Sequence, residues 1–484
     1  MSKPEKPSPK LGEQKTAASQ DKRGHKRKGM CLEDRPLLEA NAAGIDIGAR
    51  EIYVAVPPDR DENPVRIFST FTEDLEKMAK WLVSCGITTV AMESTGVYWI
   101  PIYDVVEKHR VKPCLVDARG MKNVPGRRTD WHECQWLQFL HSVGLLRAAF
   151  RPEGNVCAVR SIMRHRSEMV EIASQHIQHM QKALTQMNVQ IQHVISDLVG
   201  LTGLAILDAI IAGERDPVVL AKLRDPHIKA SEETIRKSLV GNWRAEHLFT
   251  LAQSRQSFQH YQEQITACDE EIEKMLVGFA PRVDPAEKPL PPNRKHKQPK
   301  RRRKGKNATK ASPGFDLRTE SYKLFGVDLT QIPGLMAMVL MLFSEIGRDM
   351  SRWPTVGQFV SWLALCPDND ISGGRVLWRG RRRVHNRAGD LFRMAAYSLH
   401  HDKSPLGDYL RRMKSRLGPA GATTATAHKI AIIFYTMVKK QVEYDATLWA
   451  QRDAQREKRF EAKLKRQAQQ LGYTLVPIEE KPAA

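Results

Sequence analysis

Apolar residues bracket a single carboxylate in Gly44-Ile45-Asp46-Ile47-Gly48, and short apolar stretches of strand length recur from there to about residue 116. Strands are expected at Ala43–Ile47, Glu51–Val56 and Val65–Thr70. Thr72 is placed to cap a helix over Glu73–Ser84, with acids in its first turn and Leu75, Met78, Leu82 and Val83 as its apolar positions. Thr88–Met92 reads as a short strand ending at Glu93. A helix over Ile100–Lys108, a strand over Val111–Val116 and a helix from Thr129 to Leu145 follow. Trp136, Leu137, Phe139 and Leu140 form the apolar side of that last helix. Three strands, helix, strand, helix, strand, helix is the element order of the ribonuclease H fold.

Beyond residue 157 the period changes. Val170, Ile177, Leu184, Ile191 and Leu198 recur every seven residues, with Ala173, Met180, Met187 and Val194 in the alternate seam. Leu251, Phe258, Ile265 and Ile272, joined by Tyr261, Cys268 and Met275, repeat the pattern. Sustained heptads of this kind predict two long coiled-coil helices, folded as an antiparallel hairpin or paired between subunits. Short helices with turns at Asp216-Pro217 and Asp225-Pro226 fill the interval. His165, His176, His179 and His193 line the first long helix; with no flanking Cys or acid cluster they read as solvated or nucleic-acid-facing rather than as metal ligands.

A second globular region is expected over 320–440. Ile332-Pro333-Gly334 precedes an apolar helix, Leu335–Ile346, and a Pro-Gly turn there can present backbone amides to a phosphate. Phe359–Pro367 follows, then a helical Leu391–Leu399 and a long apolar-faced helix, Ala425–Lys440, ending in lysines. Between them, Asn369-Asp370-Ile371-Ser372-Gly373-Gly374-Arg375 puts a serine on a flexible, accessible loop. The domain plan is a disordered basic tail (1–40), an α/β domain (41–150), a helical domain (151–280), a basic linker (281–315), the second globular region (316–445) and a basic C-terminal helix and tail (446–484). The fold class is α/β plus α.

Composition adds a partner. The 484 residues hold 76 Lys and Arg against 55 Asp and Glu, a formal net charge of +21. Such an excess draws polyanions and points to nucleic acid; a ribosome-like or membrane-surface basic protein is the alternative class. No acid occurs between Asn293 and Ser312, where Arg301, Arg302 and Arg303 sit among lysines. This block is suited to hold RNA or DNA phosphates. Cys31, Cys85, Cys114, Cys134, Cys157, Cys268 and Cys366 form no CxxC pair, which argues against a zinc module or disulfide scaffold and fits a reducing cytosol. No apolar run approaches the roughly 20 residues of a membrane helix, so a cytoplasmic, nucleoid-associated protein is expected.

The acids carry the candidate chemistry. Asp46 lies in the first strand, Glu93 ends the fourth, and Asp130 and Glu133 share one face at the start of the last helix of the α/β domain. In this fold those places converge at one end of the sheet, where hard oxygen donors suit two divalent metals. Asp117 closes the fifth strand and reads as a turn residue. Arg127 and Arg128, beside the acids, can hold a phosphate backbone. In the second region Ser372 is a candidate nucleophile for a phosphodiester, with Arg379, Arg381, Arg382, Arg383 and Arg387 close behind it.

Taken in order, GIDIG, AMESTG, NVPGRRTD, IPG, SWLALCPDNDISGG and ATAHKIAIIFY resemble the DEDD transposases of bacterial insertion sequences, a family that includes bridge-RNA-guided recombinases and related DNA invertases. The likeness covers about residues 40–445. It implies a RuvC-like domain whose Asp-Glu-Asp-Asp metal site falls on Asp46, Glu93, Asp130 and the position of Glu133. The fourth acid is Glu where the family usually has Asp, so the metal geometry can differ. It also implies a C-terminal transposase domain whose serine, here Ser372, attacks DNA and forms a covalent link. Mg2+ (or Mn2+) as cofactor, a structured guide RNA, DNA of the element ends and target, and a homo-oligomer from dimer to tetramer follow from the resemblance. Two alternatives stay open: a RuvC-like nuclease that uses water, and an inactive RNA- or DNA-binding scaffold.

Overall fold

A computed structural model describes residues 36–94, 96–116, 130–292, 313–378, 380, 384, 386–445 and 461–474. The chain divides into two compact units between Arg151 and Pro152.

In the first unit, strands β1 (Ala42–Ile47), β2 (Glu51–Ala55), β3 (Val65–Ser69), β4 (Thr89–Glu93) and β5 (Lys112–Val116) form one sheet in the order β3-β2-β1-β4-β5. β2 runs antiparallel to β1 and β3, whereas β4 runs parallel to β1 and β5. Strand alternation decides which face each residue serves. Ala43, Ile45, Ile52, Val54, Val90, Met92 and Leu115 point to one face. There they pack with Leu75, Met78 and Leu82 of helix α1 (Thr72–Ser84) and with Ile102 and Val106 of α2 (Trp99–Lys108). The opposite face is covered by α3 (Asp130–Ser142), through Leu137 and Leu140 on Ala91 and Val116, and Cys134 on Ala55 and Val65. This mixed α/β arrangement is compatible with a ribonuclease H-like domain.

Two details of α1 depart from expectation. Thr72 lies inside the helix, and the capping position is Phe71, with no side-chain cap bond. Ser69 takes over that turn: its Oγ accepts from the Phe71 amide (3.2 Å) and donates to Asp74 (2.5 Å). Val83 is 48% exposed, because the neighbouring Leu82 already faces the sheet. Trp81 is buried instead and donates Nε1–H to Asp61 (2.9 Å).

The second unit begins with α4 (Gly154–Gln186), which packs antiparallel on α9 (Ala245–Val277). Arg166 meets Asp269 near one end, and His176 stacks on Tyr261 further along. Leu251, Phe258, Ile265 and Ile272 are fully buried, as the heptads require. The first heptad run does not stay on one helix. α4 ends at Gln186 and Asn188 takes a positive φ of 56°, so Ile191 sits in the short α5 (Ile191–Val194) and Leu198 in a following turn. The break is fixed by the Met187 carbonyl, which accepts the Asn242 amide at 2.7 Å. Ile191 and Leu198 remain buried, so the seven-residue spacing there reflects a shared core rather than one helix. Helices α6 (Leu201–Ile211), α7 (Pro217–Lys222) and α8 (Glu232–Ser238) complete this end. Asp216 caps α7 and Ser231 caps α8.

Helices α10 (Leu317–Phe325), α11 (Val339–Ile346), α12 (Val356–Trp362), α13 (Arg387–Tyr397) and α14 (Pro405–Lys440) build the remainder around Phe325, Phe343, Phe359, Phe392 and Phe434. The helix expected from Leu335 opens with a tighter 3-10 turn, Met336–Met338. α12 starts earlier than expected, fixed by a Thr355–Gln358 capping box. α13 starts at Arg387 because Asn386 caps it. The expected helix Ala425–Lys440 is the second half of α14, which is broken at Gly418 (φ 72°) before Pro419. Arg160 and Arg164 of α4 hold this part of the unit. Arg160 donates to the Ser344 and Glu345 carbonyls at the end of α11 (3.0 and 2.8 Å), and Arg164 forks onto the Glu345 carboxylate (2.9 and 2.8 Å). Residues 461–470 form an exposed helix. No helix among the described residues is long and apolar enough to cross a membrane.

Candidate functional site

Strand parity collects the acids of the first unit. Asp46 follows Ile45, whose side chain serves the α1 face, so Asp46 serves the α3 face; the same count places Glu93 beyond Met92 there. Ile45 pairs with Met92 in the parallel register, so Asp46 and Glu93 are the next neighbours across β1 and β4. On the other side Asp46 pairs with Tyr53, and Glu93 pairs with Val116. Tyr53, Asp46, Glu93 and Val116 thus form one row across four strands. Both acids are half-buried. Neighbouring strands lie about 4.8 Å apart, and two carboxylates at about that spacing repel by roughly 3 kcal/mol at an effective dielectric near 20. A cation or basic group offsets such a cost.

Helix α3, on the same face, carries the other two acids: Asp130 is exposed and Glu133 is half-buried. Gly44 makes the approach feasible: a Cβ there would lie 2.3 Å from both the Cys134 carbonyl oxygen and the Gln138 nitrogen. Asp130 precedes Cys134 by about one turn and Glu133 precedes Leu137 by one turn, so both rise from the helix stripes that face the sheet. Two groups report the charge gathered there. Burial raises the Tyr53 hydroxyl above its usual range, and the carboxylates of Glu51, Asp130 and Asp46 push it the same way. Burial pushes the Cys134 thiol up to about 12, with Asp46 and Asp130 adding to the effect. Asp46 and Asp130 therefore act on the same two side chains.

The donors are carboxylate oxygens, which fits a hard divalent cation in chemistry. Among the described residues no three His, Cys, Asp or Glu side chains are already gathered closely enough to hold a metal between them. Asp117, Arg127 and Arg128 lie outside the described residues. Tyr53, Glu51 and Gly44 are site neighbours that the motif reading missed. Alternation in EIYVA, combined with the β1–β2 register, is the signal that finds Tyr53; no one-dimensional pattern finds Gly44.

In the second unit Ser372 is exposed, as expected, but it does not sit in a loop. It ends strand β6 (Asp370–Ser372), paired antiparallel with β7 (Arg375–Trp378). Gly373 and Gly374 form the two-residue turn, with φ of 56° and 76°. Positive φ at both central residues is what a tight hairpin needs, so the glycines specify a turn rather than slack. Ser372 pairs with Arg375, and the Asp368 amide donates to the Gly380 carbonyl (2.8 Å) at the base. Ile371, Leu377 and Trp378 are also exposed. Arg379, Arg381, Arg382 and Arg383, and the linker residues Arg301, Arg302 and Arg303, lie outside the described residues.

Other motifs resolve into packing. A Cβ at Gly334 would lie 2.4 Å from the Ala395 carbonyl oxygen, so the Pro-Gly turn is fitted against α13. His176 stacks on Tyr261 while His165, His179 and His193 are exposed. Cys85, Cys134, Cys157 and Cys268 are free thiols.

Two family matches span these sites. Residues 43–189 match the DEDD transposase family of the IS110 type, and residues 328–410 match the family described as transposase IS116/IS110/IS902. The first match contains the acid row and α3; the second contains the Ser372 hairpin. No curated protein matches the chain.

Proposed function

We propose that this chain, with its two IS110-type transposase domains in order, cuts and rejoins the DNA of a mobile element through a covalent link to Ser372. The observation that carries the reading is the hydroxyl of Ser372, exposed at the end of β6 beside a tight two-glycine turn. Ser372 Oγ attacks the scissile phosphorus, the Oγ–P bond forms and the P–O bond to one deoxyribose breaks. The serine proton ends on the departing sugar hydroxyl. The ester link keeps the energy of the broken bond, so rejoining is the reverse step and needs no nucleotide.

Asp46, Glu93, Asp130 and Glu133 are the residues to hold Mg2+ or Mn2+. Such a cation, when bound, neutralises phosphate charge and favours an ionised hydroxyl. The half-buried acid row supports this role. The net charge of +21 and the acid-free run from Asn293 to Ser312 support a polyanion beyond the cleaved DNA, and a structured guide RNA is the partner we assign to them. A homo-oligomer, in which the acids and the serine come from different copies, completes the reading.

A second reading is favoured by the acid row itself: hydrolysis by metal-activated water, with Ser372 only a DNA contact. Ser372→Ala separates the two. On DNA carrying the flanks of the gene, the serine reading expects no cut and no protein–DNA adduct from the variant. Undiminished cutting by the variant supports water as the nucleophile.

A further inference from the structure

The register of the β6–β7 hairpin places Arg375 directly opposite Ser372. They are the two residues that close the Gly373-Gly374 turn, and directly paired residues put their side chains on the same face with Cβ atoms about 4.5–5.5 Å apart. The next pair, Ile371 with Val376, serves the other face. Both Ser372 and Arg375 are exposed, and the turn has no side chains of its own to block approach. A long planar cation therefore stands beside a nucleophile, on a scaffold short enough to fix their spacing.

We propose that Arg375 is a catalytic residue that binds the non-bridging oxygens of the phosphate attacked by Ser372. The inference rests on the serine reading above and deepens it. A guanidinium matches two phosphate oxygens at once and stays protonated throughout. Its contacts strengthen as the phosphorus gains a fifth oxygen, which lowers the barrier rather than only tightening binding. The bonds made and broken remain those of the serine transfer; Arg375 neither gains nor loses a proton. The tight turn makes the pairing specific: a flexible loop would let the arginine drift from the hydroxyl it serves.

The test uses the full chain, the DNA flanking its gene and RNA transcribed from the adjoining non-coding segment. Covalent adduct is quantified at saturating DNA for wild type, Arg375→Ala, Arg375→Lys and Ser372→Ala. Arg375→Ala should form adduct ~100-fold or more slowly, the scale of losing one preorganised donor to a developing oxyanion. Arg375→Lys should be intermediate. A neutral methylphosphonate at the position to which the wild-type adduct maps should shrink the Arg375→Ala deficit, because the charge that the guanidinium met is gone. An exposed hairpin position keeps the fold intact, which melting curves check. Arg375→Ala at wild-type rate, or a deficit that vanishes at saturating DNA, overturns the proposal while leaving Ser372 in place. Cutting that persists in Ser372→Ala overturns the serine reading, and this proposal with it.

Discussion

Gly44 lies against the backbone of Cys134 so closely that a β-carbon at 44 would sit 2.3 Å from the Cys134 carbonyl oxygen. That contact sets the depth at which α3, the helix that carries Asp130 and Glu133, seats on β1. Gly44→Ala should force the helix outward. Overpacking of a filled core costs about 1–3 kcal/mol, so a lower melting temperature is expected, with DNA cutting reduced further than stability alone explains. Calorimetry and a cutting assay on one preparation check this.

The acid row should respond to cation. Mg2+ binding to the folded state raises its stability by mass action, so wild type should melt higher in millimolar Mg2+ than in chelator. Asp46→Asn and Glu93→Gln should lose most of that increment. A shift of equal size in the variants would remove these acids from the metal site.

Arg166 and Asp269 form an ion pair buried between α4 and α9, and Asp269 also accepts the Gly314 amide at 2.9 Å. Asp269→Ala leaves the guanidinium buried without its carboxylate, a loss of roughly 3–5 kcal/mol. Replacing both partners by Met and Leu should cost less. Urea unfolding of the two variants gives the comparison.

Glu76 supplies a pH signature in the first unit. His109 and Lys108 hydrogen-bond its carboxylate (2.6 and 2.7 Å) and hold its pKa at about 2, below an ordinary value of 4.5. A depressed carboxyl contributes stability that is complete above 4.5 and is lost as pH falls toward 2. Glu76→Gln should therefore melt below wild type at pH 7, and the gap should close between pH 4.5 and 2. A gap that is constant with pH would contradict the assignment.

The order of elements, the row holding Asp46 and Glu93, and the packed seam of Leu251, Phe258, Ile265 and Ile272 were legible in the chain because strand alternation and helical period are local signals. The break after Gln186 was not. Ile191 and Leu198 keep the seven-residue rhythm while Asn188 turns the backbone, and only the Asn242 amide on Met187 reveals why. Ser372 was legible as a residue and misread as a setting: Ser-Gly-Gly suits a loose loop or a tight hairpin, and the pairing with Arg375 decides between them. Tyr53 joins the site only once β1 and β2 are in register.

The most direct test is mass spectrometry of the peptide spanning Ser372 after reaction with DNA in Mg2+ and H2(18)O. The account predicts a nucleotide joined to the Ser372 oxygen and no heavy oxygen in the cut ends before that link is resolved. Heavy oxygen in the cut ends, with Ser372 unmodified throughout the time course, would contradict it.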